Sequence, residues 1–388
     1  MKKLVVTWSF LLIAAMTFAQ SGKRELNNAY NAYSNGYLDR ALTAINKCME
    51  YEDTKNDAKT WMYRGNIFLQ IADTKDAEYK ALSNNAAEEA FESYKKALEL
   101  DPNVSVGMRI ATPAVGLKFC SQMLIQEAVD ILKSGQNLDR AVTLAEKSHL
   151  ADKADDNNTY IYGYCAEMAG KKDIAKKCYT SLVNKKTKLN IFPYVRLASL
   201  FKDENDTAHA IKVVQICESI FLTPEKYDVN AATSASIIYM WAGQNDKATE
   251  LMTQALEKDP NNHTLLINYG SELTNQKHYS EAEKYLKKAL ELQPNDFYVN
   301  YNLGNCYYNN YVDHYKNLDN IEDDAAYEAA KTEMEKLLNN SRPYLEKAHE
   351  IEPNDNNTLI MLKLIYSRIP GAEKELDAVN QQLNALKK

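Results

Sequence analysis

Catalytic signatures are what this 388-residue chain lacks. It holds no His-Glu-x-x-His pair, no Gly-x-Ser-x-Gly elbow, no phosphate-cradling glycine loop and no cysteine with an evident histidine partner. The usual signatures of metalloproteases, serine hydrolases, nucleotide-binding enzymes and cysteine nucleophiles are therefore missing. Glycine and proline are scarce, at 12 and 9 residues, which argues against a loop-rich or low-complexity chain. Basic residues are in deficit, 46 against 53 acidic ones, a poor balance for nucleic acid or anionic membranes. The six cysteines (Cys48, Cys120, Cys165, Cys178, Cys217 and Cys306) are irregularly spaced and read as small apolar residues on helix faces. Only Cys165 and Cys178, in the two helices of one repeat, make a bridge worth testing.

Beyond the first twenty residues no apolar run is long enough to cross a bilayer. Those first residues are different. Lys2 and Lys3 precede an apolar stretch from Leu4 to Phe18, and Thr17-Phe18-Ala19 leads to Gln20. That is the layout of a cleaved secretory signal over residues 1–19, with no lipidation cysteine behind it. Removal leaves 44 basic against 53 acidic residues, a formal charge of −9 in place of −7, on a mature chain expected to be soluble and exported, with a periplasm as the expected destination.

What is present is a beat. Pro260 and Pro294 mark two successive strokes of it, a period of about 34 residues. Ala248 and Ala255 precede the first as Ala282 and Ala289 precede the second. Within 263–296, Leu266, Tyr269, Gly270 and Leu273 space out one helix face, and Ala282, Leu286, Ala289 and Leu290 a second. Pro294 cannot continue a helix, and Asn295 and Asp296 offer acceptors to start the next. The same grammar runs through 156–310: Gly163, Ala175 and Tyr179; Leu197, Phe201, Ala210 and Pro224; Tyr239, Gly243 and Ala248; then Leu303, Gly304 and Tyr307.

The beat is broken twice. After Trp61, Gly65 and Phe68, the partner helix of Ala90, Tyr94, Ala97 and Pro102 is displaced by an insertion near 72–84. After Gly304, the partner marked by Leu345, Ala348 and Pro353 is displaced by 311–338, where Ala325, Ala326, Ala329, Met334 and Leu337 keep helical spacing. Those insertions read as longer helices in an extended hairpin, or as lids on a groove. Asn85 with Glu88 reads as a capping box. Leu38-Asp39-Arg40-Ala41 recurs as Leu138-Asp139-Arg140-Ala141, each opening a second helix. A polar last helix with Lys387 and Lys388 suits a terminal cap.

These positions resemble tetratricopeptide repeat (TPR) proteins over nearly all of the chain after residue 20. The signal ending Phe18-Ala19-Gln20, the run Pro343-Tyr344-Leu345-Glu346-Lys347-Ala348 and Leu362-Lys363-Leu364-Ile365-Tyr366 further resemble exported TPR proteins of Bacteroidetes-type Gram-negative bacteria. The resemblance implies an all-α, right-handed superhelix of about nine helix-turn-helix units: irregular repeats over 20–155, a regular array over 156–310, and a C-terminal part over 311–388. It also implies that certain first-helix positions line a concave groove. Here they hold Tyr160, Tyr164, Met168, Ile237, Met240, Trp241, Tyr298, Tyr301, Asn305 and Tyr308. Aromatic and Met side chains give large contact area at modest entropic cost.

The expected function is non-enzymatic binding of a protein or peptide partner, with no cofactor and no metal. The alternative is a glycan or small-molecule module that stacks sugars on the same aromatics. Leu26 and Tyr30 occupy the positions where some TPR proteins clamp a C-terminal carboxylate with Lys and Asn, which argues against that mode. His149 beside Asp152, Asp155 and Asp156, and the Asp319, Asp323 and Asp324 group, read as solvated polar segments rather than metal sites.

Overall fold

A computed structural model describes residues 22–105 and 111–386. The proposed signal over 1–19 and the terminal Lys387 and Lys388 lie outside them. The chain is an all-α solenoid, and twenty helices make up the described residues apart from turns and two tiny strands. It divides into two compact units between Leu200 and Phe201.

The N-terminal unit runs through α1 (22–34), α2 (Leu38–Cys48), the single turn α3 (Glu52–Lys55), α4 (Ala58–Asp73), the single turn α5 (Ala77–Lys80), α6 (Ala86–Leu100), α7 (Pro113–Ser134), α8 (Leu138–Ala151), α9 (Asp156–Met168) and α10 (Lys172–Asn184). The division falls within α11 (Phe192–Asp203). The C-terminal unit continues with α12 (Thr207–Phe221), α13 (Val229–Trp241), α14 (Asn245–Lys258), α15 (His263–Asn275), α16 (Tyr279–Leu292), α17 (Phe297–Asn317), α18 (Asp324–Ile351), α19 (Asn356–Tyr366) and α20 (Glu373–Ala385). Between α12 and α13, β1 (Leu222–Thr223) and β2 (Lys226–Tyr227) pair antiparallel around Pro224 and Glu225. Proline there shapes a tight hairpin rather than simply ending a helix.

The beat is written into the helix starts. Asp228, Asn262 and Asp296 recur one beat apart, and each caps a first helix. Asp228 accepts from the Asn230 amide at 3.0 Å, Asn262 from Leu265 at 3.0 Å and Asp296 from Val299 at 2.9 Å. Asp57, Asp155 and Asp355 do the same for α4, α9 and α19. Each cap satisfies an otherwise orphaned amide and contributes about 1 kcal/mol.

The insertions do not disturb the packing register. In the regular pairs, the first-helix glycine meets a large second-helix side chain at a fixed interval: Gly163 meets Tyr179, and Gly270 meets Leu286. The first insertion lengthens that interval, and Gly65 still meets its counterpart, Tyr94. The second lengthens it further, and Gly304 still meets Leu345. The extra residues 311–338 go into the end of α17, a 3-10 turn at Leu318–Asn320 and the first half of the 28-residue α18. Met334, Leu337 and Leu338 from this stretch are buried in the core of the C-terminal unit. Pro343 lies inside α18, so the Asn339 carbonyl loses its helical donor there.

The capping box expected at Asn85 and Glu88 does not form. Asn85 is the N-cap of α6 without a side-chain cap hydrogen bond, and Glu88 is turned to other use. Its carboxylate, 9% exposed, takes Arg140 on one oxygen and Lys147 at 2.9 Å on the other, so α6 is tied to α8. Burial alone would raise the Glu88 pKa. The two cations outweigh it and hold the carboxyl below its ordinary value. A depressed carboxylate supports folding above its unfolded pKa of about 4.3, and that support is lost as pH falls through the lower folded value. Glu88→Gln is expected to cost about 2 kcal/mol at neutral pH, moderated because Arg140 and Lys147 keep partial access to water. Thermal melts should show a shallower loss of stability for the variant than for the wild type between about pH 4.5 and 2.

Candidate binding surface

The first helices present the residues singled out in the sequence, and the two units place them differently. In the N-terminal unit, α9 carries Tyr160, Tyr164 and Met168. The Tyr160 ring stacks on Tyr164 at 6.2 Å and on Phe192 at 6.3 Å, and is tilted against Tyr179 at 6.1 Å. The Arg196 guanidinium sits 4.2 Å over the Tyr164 ring and bonds Glu167 at 3.0 Å, while the Tyr179 hydroxyl donates to Glu167 at 2.7 Å. Tyr160 and Tyr164 are thus half-buried members of a cation–aromatic cluster. Met168 and Phe192, each about half exposed, form its open edge. Phe192 and Arg196 escaped the sequence reading, because they belong to the next helix and join the cluster only through packing.

In the C-terminal unit, Ile237, Met240 and Trp241 project from the last turns of α13 into a cleft of about 350 Å³. Its other lining comes from Lys202 on α11 and Asn268, Ser271, Glu272 and Asn275 on α15. Ser271 and Asn275 stand one beat beyond Ile237 and Trp241, so the repeat that marked the aromatic positions also pointed to these. An aromatic filter passed over them. Trp241 is half-buried.

On α17, Tyr298 is 63% exposed and packs edge-on against Phe297 at 5.3 Å. Tyr301 is half-buried, stacked on Phe297 at 6.0 Å and packed against the core, and its pKa is raised by burial and by Asp355. Asn305 is half-buried. Tyr308 departs from the expected role. It is a buried core residue stacked on Tyr311 at 5.8 Å, with the Arg368 guanidinium 6.0 Å from its ring. Its ring is held between Tyr311 on the same helix and Arg368, just beyond the end of α19.

The polar groups considered for chemistry have structural tasks. His149 Nδ1 is 3.0 Å from the Thr159 hydroxyl, and Asp155 caps α9. Asp323 caps α18 through the Ala326 amide at 2.8 Å. Among the described residues no group of three or more His, Cys, Asp or Glu is placed to hold a metal ion, and no helix is long and apolar enough to cross a membrane. All six cysteines are buried free thiols, Cys165 and Cys178 included. Burial pushes the Cys120, Cys178 and Cys217 thiols up to about 12, which leaves them protonated and weakly nucleophilic. What the surface can do is bind: it offers aromatic faces, a Met edge and amide and hydroxyl groups, held on rigid helices.

Comparison with known proteins agrees with this architecture. Tetratricopeptide repeat models match residues 239–299 and 81–104. No curated protein matches the chain. Among solved structures, MamA of AMB-1 is 20% identical, covering 50% of this chain and 96% of its own, with a TM-score of 0.34. MamA 41-end from Desulfovibrio magneticus RS-1 is 16% identical, covering 45% and 95%, with a TM-score of 0.38. A human IFIT1 dimer with m7Gppp-AAAA is 15% identical, covering 94% and 68%, with a TM-score of 0.41. Likenesses this remote carry nothing about partner or activity. The chain carries tetratricopeptide repeats in both of its units, the helix-pair scaffold typical of protein–protein interaction modules.

Proposed function

We propose that this protein is an exported, non-enzymatic scaffold that holds a protein or peptide segment on the first-helix face of its C-terminal unit. The supporting observation is the cleft around Trp241. It combines a half-buried indole, an apolar wall of Ile237 and Met240, and hydrogen-bonding groups from the neighbouring repeat. An aromatic anchor site ringed by polar groups is the usual core of a polypeptide interface. Export rests on the amino-terminal basic and apolar pattern, with the mature chain beginning at Gln20.

A photo-crosslinking amino acid at position 241, placed in the full-length chain in its native cell, should capture a discrete polypeptide in the exported fraction. Recovery of glycan alone, or of the same products from a crosslinker on the outer face of α14, would defeat the reading. Mass spectrometry of the purified protein should find a chain starting at Gln20, and an intact Met1 terminus would remove the export half.

A further inference from the structure

The cleft holds a buried carboxylate that no ion pair engages among the described residues. Glu272 is 5% exposed and lines the cleft next to Trp241 and Met240. Its Oε1 accepts one hydrogen bond, from the neutral Gln276 amide at 2.8 Å, and among the described residues it has no ion pair. A carboxylate taken out of water is costly until a cation and further hydrogen bonds compensate it. Lys202, which also lines the cleft, is half-buried, likewise without an ion pair among the described residues, and stays beyond salt-bridge distance of Glu272.

We infer that the cleft is a receptor for one basic side chain, Lys or Arg, of the bound polypeptide, seated against Glu272. The aliphatic stem would lie along Met240 and Ile237, and the cationic head beside the Trp241 indole, where it gains both carboxylate and aromatic attraction. Cleft size agrees: about 350 Å³ admits one long side chain and its water, not a folded element. Lys202 sets the direction. Its positive charge disfavours a second basic residue at the α11 end, so the site reads an isolated cation rather than a polybasic run. This inference rests on the binding surface proposed above.

Panning a random 12-mer phage library against the full-length protein is expected to enrich peptides that share one Lys or Arg. In synthetic versions, exchange of that residue for norleucine should weaken binding about tenfold, measured by fluorescence anisotropy. Glu272→Gln, close in shape, should make the protein indifferent to that exchange. Lys202→Gln should tighten the basic peptide a few-fold, the opposite sign to Glu272→Gln. Circular dichroism melts should show both variants folded and at least as stable as the wild type, Glu272→Gln more so because it removes the uncompensated charge.

Enriched peptides without a basic residue, or a norleucine penalty undiminished in Glu272→Gln, overturn the cation inference. Such peptides would still support the binding surface if Trp241→Ala lost them. Failure to enrich any peptide, or unchanged binding in Trp241→Ala, overturns both.

Discussion

Replacing Tyr94 with alanine is expected to cost the N-terminal unit about 3–5 kcal/mol, while Tyr94→Phe should be neutral or stabilising. Tyr94 is fully buried, and its ring lies between two glycines on neighbouring first helices. A Cβ on Gly65 would fall 2.6 Å from the ring, and one on Gly116 would collide with its Cζ. One side chain thus locks α4, α6 and α7 together, and truncating it opens a cavity that three helices cannot close independently. The hydroxyl, by contrast, is buried without a hydrogen-bond partner among the described residues, so deleting it removes an unsatisfied polar atom and leaves the ring in place. Gly116→Ala should cost about 1–3 kcal/mol by overpacking against the same ring. Urea unfolding of the three variants checks the order; a Tyr94→Phe loss as large as that of Tyr94→Ala would show that the hydroxyl, not the ring, is what the site holds.

That arrangement also shows what was legible in the sequence. Gly65 and Tyr94 stood out as repeat positions, and the displacement between them was visible. The chain itself says only that a second helix must return to its glycine. That Gly116 would close on the other side of the same ring depends on how the third pair stacks, which spacing does not encode. The helix start at Asp296 was legible for the same reason that the beat was, since its cap acts on an amide only a turn away, whereas the Asp155 cap was read as solvated surface.

Glu88 was misread because a capping box is a local pattern, whereas Arg140 and Lys147 lie 52 and 59 residues away. Their attraction in a half-buried place outweighs one backbone hydrogen bond. Tyr308 was misread in the same way. Its repeat position pointed outward, but the ring is buried, with Tyr311 and the distant Arg368 against it, and only the three-dimensional neighbours decide that. Conversely, Glu272 was passed over because a charged residue inside a helix reads as solvated surface; its burial is a property of the stacked repeats.

The largest effect on binding is expected from Trp241→Ala, with a roughly 30-fold or greater loss of partner affinity and little change in stability. Trp241 is the half-buried last residue of α13, while Ile238 and Tyr239 before it on the same helix are buried and carry the packing. Truncation removes the broadest apolar surface in the cleft and lets water reach Glu272, which weakens every polar contact made there. Tyr301→Ala would be a poorer test of the same surface, since Tyr301 also packs on the core and its loss mixes unfolding with binding. Tyr298, exposed and outside that core, is the better companion. Tyr298→Ala should melt within about 0.5 kcal/mol of the wild type, as exposed substitutions do. If the partner spans α13 to α17, Tyr298→Ala also weakens capture, by an amount that adds to that of Trp241→Ala because the two side chains stand on separate helices, α13 and α17. If only Trp241 matters, the bound segment is short and ends at α15. Isothermal titration of the two single variants and the double variant with the captured partner separates these outcomes, and undiminished affinity in all three would remove this face from the binding function.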